Sequence, residues 1–107
     1  MVLHGIRFWD TAQALHILFQ DMVNRATAAR QKRRKLLLSL LREIRLTAGF
    51  TQVQLADSLG VPQSFISKYE SGERRLDLLE LQLVCRALGI PLVTLVQRFE
   101  DGVKAIR

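Results

Sequence analysis

The sequence predicts an all-α protein, five helices in one small domain preceded by an N-terminal extension that is either helical or flexible. Three observations carry this expectation. Of the 107 residues, 49% are apolar but only 7% are aromatic, a leucine-rich mixture suited to helix packing. Apolar residues recur at spacings of three and four rather than two. Only Pro62 and Pro91 occur, and the glycines fall mostly at the ends of periodic segments. A chain of this length supports one core and little more.

Along the chain, Trp9, Ala12, Leu15, Phe19 and Met22 lie three and four apart, a weak amphipathic helix. It suits a dimer helix, a helix laid over the main domain, or an accessory leader, and Met22 is itself able to begin the chain. Residues 24–35 are polar and basic, and no Gly or Pro separates them from the leucines that begin at Leu36. The segment is therefore an extension of the first core helix or a flexible arm. Leu37, Leu41 and Ile44, with Leu40 beside them, form one buried helical face that ends near Gly49, a C-cap candidate. Thr51 is the N-cap candidate for a second helix, Gln52 to about Leu59. Gly60 makes a turn, and Pro62 suits the first position of a third helix reaching Tyr69. Asp77 caps a fourth, to Leu88, and Pro91 opens a fifth, through Phe99. Asp101-Gly102 reads as a loop with a frayed tail. The expected organisation is an extension over 1–35, basic from 25, a domain over 36–99 and a tail over 100–107.

Charge is unevenly spread. The net charge is +6, of which residues 1–35 hold +5 and residues 36–107 only +1. Bulk attraction to a polyanion therefore comes from the N-terminal third, and contacts elsewhere depend on where individual charges sit. Cys85 is the single cysteine, which excludes an internal disulfide and a CxxC metal pair and is compatible with a reducing cytosol. It reads as a small core residue. No apolar run approaches membrane-spanning length, and the N-terminus lacks a secretory pattern, so a cytoplasmic protein without a membrane role is expected.

The most informative stretch is TQVQLADSLGVPQSFISKYESG, Thr51 to Gly72. Its residue types meet the needs of two helices crossing steeply at a short turn. Leu55 and Leu59 are buried by the first of them, and Ala56 is small enough for the other to approach. Gly60 accepts the turn conformation, and Val61 plugs the turn. Ile66 and Tyr69 face the same core. The outward face of Pro62–Tyr69 is then Gln63, Ser64, Ser67 and Lys68. Taken singly these are an ordinary solvated helix face; within this motif they suit a duplex groove. Gln63 can pair with adenine through donor and acceptor together, Ser64 and Ser67 are versatile short partners, and Lys68 can reach guanine or a phosphate. Gln52, beside Thr51 at the start of a helix, sits where free N–H groups favour a phosphate. Ser71, Arg74 and Arg75 lie just past the third helix and suit backbone contacts that set register without reading sequence. Solvation, or pairing with Glu73 and Asp77, is the plainer role of the two arginines.

With REIRLTAGFTQVQLADSLGV, PQSFISKYESGERRLDLLEL and VCRALGI in view, residues 36–99 resemble the phage-repressor-like (Cro/C1, XRE-type) helix-turn-helix regulators. The resemblance implies a five-helix repressor-like domain whose third helix enters the DNA major groove, commonly as a dimer on a palindromic operator. It implies that Gln63, Ser64 and Lys68 read bases, and that Gln52 anchors a phosphate and buttresses the reading helix. It also implies an ion pair between Arg45 and Glu70 that fixes the third helix against the first. The N-terminal extension departs from the plain family pattern. Its basic residues 25–35 either attract phosphate or form a solvated helix face.

The fourth helix has more leucines than one core face uses. Leu78, Leu81, Val84, Cys85 and Leu88 make an inward stripe. Leu79 and Leu83, with Ile90, Leu92, Leu95, Val96 and Phe99, suggest a homodimer surface, unless the fifth helix covers them. The same apolar surplus suits an antitoxin-like module that caps a toxin-like protein and binds its own operator. No catalytic constellation is visible: His4 and His16 have no metal-spaced neighbours, Ser64 and Ser67 lack a histidine, and there is no glycine-rich phosphate loop. The expectation is a regulator that is not an enzyme and uses no cofactor or metal.

Overall fold

The computed structural model describes residues 8–106, and every regular element among them is a helix. They are α1 (Phe8–Thr47), α2 (Gln52–Leu59), α3 (Gln63–Ser71), α4 (Leu78–Ala87) and α5 (Leu92–Ala105). The chain divides into two units, Met1–Lys32 and Arg33–Arg107. His4 lies outside the described residues, as does the side chain of Trp9. Among the described residues no single helix is long and apolar enough to cross a membrane.

In the first unit, residues 10–32 are helical with every side chain exposed. Local pairs decorate this helix: Arg25 meets Asp21 one turn away at 2.9 Å, and the Thr27 hydroxyl donates to the Val23 carbonyl at 2.9 Å.

In the second unit, α1 from Arg33 onward buries Leu41 and Ile44 against α2–α5. Leu55 and Ala56 of α2, Ile66 and Tyr69 of α3, Val84 and Cys85 of α4 and Leu95 of α5 complete the centre. Each large side chain so buried contributes roughly 1.5–3 kcal/mol. Ends are well defined. Thr51 and Asp77 each begin a reciprocal capping box, with Gln54 and Glu80 at the third helical position. Gly60 ends α2 with φ +69°, a left-handed conformation costly for any residue with a Cβ.

Four expectations need correction. Pro62 is the N-cap of α3 rather than its first residue, and α3 continues through Ser71. Leu78 does not join the inward stripe: it is 67% exposed, while Leu76 and Leu81 on either side of it pack against the core. Residues 100–105 are no loop and tail, since α5 runs to Ala105 and buries Val103. Gly102 is a packing glycine there. A Cβ on it would come within 2.8 Å of Leu36 Cδ2 and 3.0 Å of Cδ1, so its bare backbone makes room for α1. The fifth helix also takes Leu95 wholly into the core, removing it from the expected partner surface.

Candidate nucleic-acid interface

The interface is built on α3, and its geometry comes from helical periodicity. At about 100° per residue, Gln63, Ser67, Ser64 and Lys68 occupy a contiguous arc of roughly 140°. Phe65, Tyr69 and Ile66 fall on the opposite side. Ile66 and Tyr69 are fully buried, and burial pushes the Tyr69 phenol well above its usual range. Phe65 packs edge-on against Tyr69, ring centroids 6.0 Å apart. The apolar side is thus clamped, while Gln63, Ser64 and Lys68 are exposed. Ser67 is half-buried, and its hydroxyl donates to the Ser64 carbonyl at 3.3 Å, so it is the least available of the four.

A buried ionic cluster fixes the angle of α3. Arg45 Nε donates to Glu70 Oε2 at 2.7 Å and Nη2 to Oε1 at 3.0 Å, a bidentate pair. The two side chains are only 7% and 6% exposed. The third guanidinium nitrogen, Nη1, donates to the Phe50 carbonyl at 2.9 Å. The hydrogen bonds to Glu70 hold the Arg45 guanidinium above its ordinary pKa. Gln52 joins them, Nε2 donating to Glu70 Oε1 at 3.2 Å. Three elements meet on one carboxylate: the end of α1, the start of α2 and the end of α3. Gln52 is oriented by this contact at the N-terminus of α2. Beside it, the exposed Thr51 accepts the Gln54 N–H through its hydroxyl oxygen at 3.1 Å.

The end of α3 is also tied down. Gly72, with φ +87°, turns the chain while its N–H donates to the Tyr69 carbonyl. The Ser71 hydroxyl donates to the Lys68 carbonyl at 3.1 Å, and the Arg74 N–H donates to the same carbonyl at 3.1 Å. The Gly72 carbonyl accepts from Arg34 Nη2. One residue of the basic segment is therefore a clamp on the α3 terminus rather than a free charge.

Arg74 pairs with neither Glu73 nor Asp77. Its Nη2 donates to Glu80 Oε2 at 2.7 Å, and its guanidinium carbon lies 4.4 Å from the Phe65 ring centroid. Glu80 also accepts the Asp77 N–H at 3.0 Å. These contacts, that of Arg74 first, hold the Glu80 carboxyl below its ordinary value. Arg75 is exposed. Sequence reasoning missed Arg34, Phe65 and Glu80. Only Glu80 had a local signal, the Asp77-x-x-Glu80 capping pattern.

Elsewhere, Cys85 is buried and burial raises its thiol pKa, which keeps it protonated and shielded. His16 is exposed. Among the described residues no group of three His, Cys, Asp or Glu is placed to hold a metal.

Comparison with known proteins gives one family match and three similar solved structures. A family model described as helix-turn-helix matches residues 41–95. An XRE-family-like protein from Pseudomonas syringae pv. tomato has a similar solved structure, with TM-score 0.70 and 44% identity, covering 73% of this chain and 95% of that one. The clp gene regulator ClgR from Corynebacterium glutamicum gives TM-score 0.61 and 26% identity over 68% of this chain and 78% of its own. The restriction-modification controller protein C.Esp1396I gives 0.60 and 25% over 64% and 88%. Comparison with curated protein sequences finds no significant match.

Proposed function

From the premise that the chain belongs to the XRE-type (Cro/C1-like) helix-turn-helix family, and is a DNA-binding transcriptional regulator, we propose that it reads operator sequence in the major groove through α3. The observation that carries this is the one-sided clamping of α3. Its apolar side is held by packing and its C-terminal end by the Arg45–Glu70–Gln52 cluster and Arg34, leaving Gln63, Ser64 and Lys68 as its free polar side chains along one arc. Gln63 reads adenine bidentately, Lys68 reads guanine or holds a phosphate, and Ser64 and Ser67 make short contacts. Thr51, Gln52, Ser71 and Arg75 contact phosphates and set register. Arg74, committed to Glu80 and Phe65, acts on the backbone only weakly and chiefly shapes the loop after α3.

The functional unit in this reading is a homodimer. Leu79 and Leu83 of α4 and Val96 of α5 are exposed apolar side chains that a second copy covers. Two α3 helices about 34 Å apart then meet successive major grooves. The test is in vitro selection of duplexes by the full chain, read together with its mass in solution. A palindromic site bound by two chains is the expected result. Equal affinity for all duplexes, or a chain that assembles only with a different protein, as an antitoxin-like module does, would refute it.

A further inference from the structure

We infer that residues 12–29 of α1 pair with the same residues of a second copy of this chain as an antiparallel two-stranded coiled coil. Ala12, Leu15, Phe19, Met22, Ala26 and Ala29 succeed one another at intervals of 3, 4, 3, 4 and 3 residues within α1. That spacing is the seam of a left-handed coiled coil. The seam lies open: Leu15 is 62% exposed, Phe19 58% and Met22 61%, with Leu18 at 65% and Val23 at 38% on its margins. These five side chains offer on the order of 500 Å² per helix, so a pair buries about 1,000 Å², the lower bound for a specific interface.

Charge selects the occupant. Residues 11–24 contain Asp21 and no Lys or Arg, whereas Arg25, Arg30 and Lys32 come after the apolar stretch. An anionic lipid surface calls for basic side chains flanking the apolar face along its length, which this segment lacks. A second copy meets no such demand. Its direction is set by the same charges. Parallel alignment sets Arg25 against Arg30 of the partner subunit, a like-charge pair at the seam margin. Antiparallel alignment about the point midway between Phe19 and Met22 removes that clash. It sets Phe19 on Met22 of the partner subunit, Leu15 on Ala26 of the partner subunit, and Ala12 on Ala29 of the partner subunit. Outside the central layer each large side chain then faces a small one, and the basic ends separate.

The experiment mixes two differently tagged full-length chains, one carrying Ala12→Cys and the other Ala29→Cys, under mild oxidation. Cys85 is fully buried and stays silent. Disulfides between the two kinds of chain are expected to exceed those within each kind by about tenfold, because the fold raises only their local concentration. Phe19→Asp in both chains abolishes the cross-link without moving the thermal transition of the helix-turn-helix unit. Leu83→Glu, which disrupts the proposed α4–α5 dimer face, leaves the cross-link in place, so the two interfaces fail independently. Predominant pairing of like variants would overturn the antiparallel assignment. Absence of cross-linking, with or without binding to phosphatidylserine–phosphatidylcholine vesicles, would overturn the coiled coil itself.

Discussion

Glu70 shows how much rests on single side chains. Its carboxylate accepts from Arg45 and Gln52 while almost wholly shielded from water. Arg45→Ala leaves that charge buried and without its bidentate partner, and is expected to cost about 3–5 kcal/mol in urea unfolding. The double variant Arg45→Met with Glu70→Leu should recover most of that loss, since a buried pair is not intrinsically better than an apolar one. Glu80 makes a different prediction. Its folded pKa is lowered from the ordinary 4.5. Its contribution is therefore full above the unfolded value and lost as pH falls through the lower folded value. Stability measured from neutral pH into that acid range should fall less steeply for Glu80→Gln than for the parent chain.

The pair Arg45–Glu70 was legible because two charges at family-defined positions invite one contact. Arg74–Glu80 was not, although both residues lie close in sequence. The capping box at Asp77 turns Glu80 back toward the preceding loop, so it reaches Arg74 before Glu73 or Asp77 does. Arg34 was hidden for a different reason. Among six basic residues between 25 and 35, nothing local marks the one that meets the Gly72 carbonyl.

At the scale of elements, caps and periodicity carried most of the reading. Thr51, Asp77 and Pro91 stand where helices begin, and Gly60 and Gly72 adopt left-handed conformations where they end. Thr51→Ala removes one side of a capping box and should cost about 1 kcal/mol by thermal unfolding. Gly102 defeated the same logic. Glycine usually stops a helix, yet here it lies inside α5 to admit Leu36, a contact that no local pattern reveals. Gly102→Ala normally gains about 1 kcal/mol of helix propensity. Both Leu36 methyls crowd the new Cβ, so the gain should be absent in the parent chain and appear in a Leu36→Ala background. A double-mutant cycle by urea unfolding checks this.

At the scale of the molecule, the helix-turn-helix was readable because its two helices and turn demand an ordered set of residue types. Of the apolar positions read in α2 and α3, Leu55, Ala56, Ile66 and Tyr69 are buried and Leu59 partly so. The surplus leucines of α4 were harder, because which face α5 covers depends on where the chain turns back. Leu95 went to the core, while Leu79 and Leu83 stayed exposed. For the regulator as a whole, the salt dependence of duplex binding should be shallower for Arg75→Ala by about one phosphate contact, with base preference unchanged.

The most direct measurement compares the parent chain with Gln63→Ala and Lys68→Ala on a selected duplex and on every single-base variant of it. Gln63→Ala should erase preference at its own base position, a loss of about 1–3 kcal/mol of discrimination, and Lys68→Ala should do the same at a guanine or weaken all duplexes alike through a lost phosphate contact, while thermal stability stays unchanged because both side chains are exposed. Base preferences that persist unaltered in both variants would contradict the assignment of α3 as the reading surface.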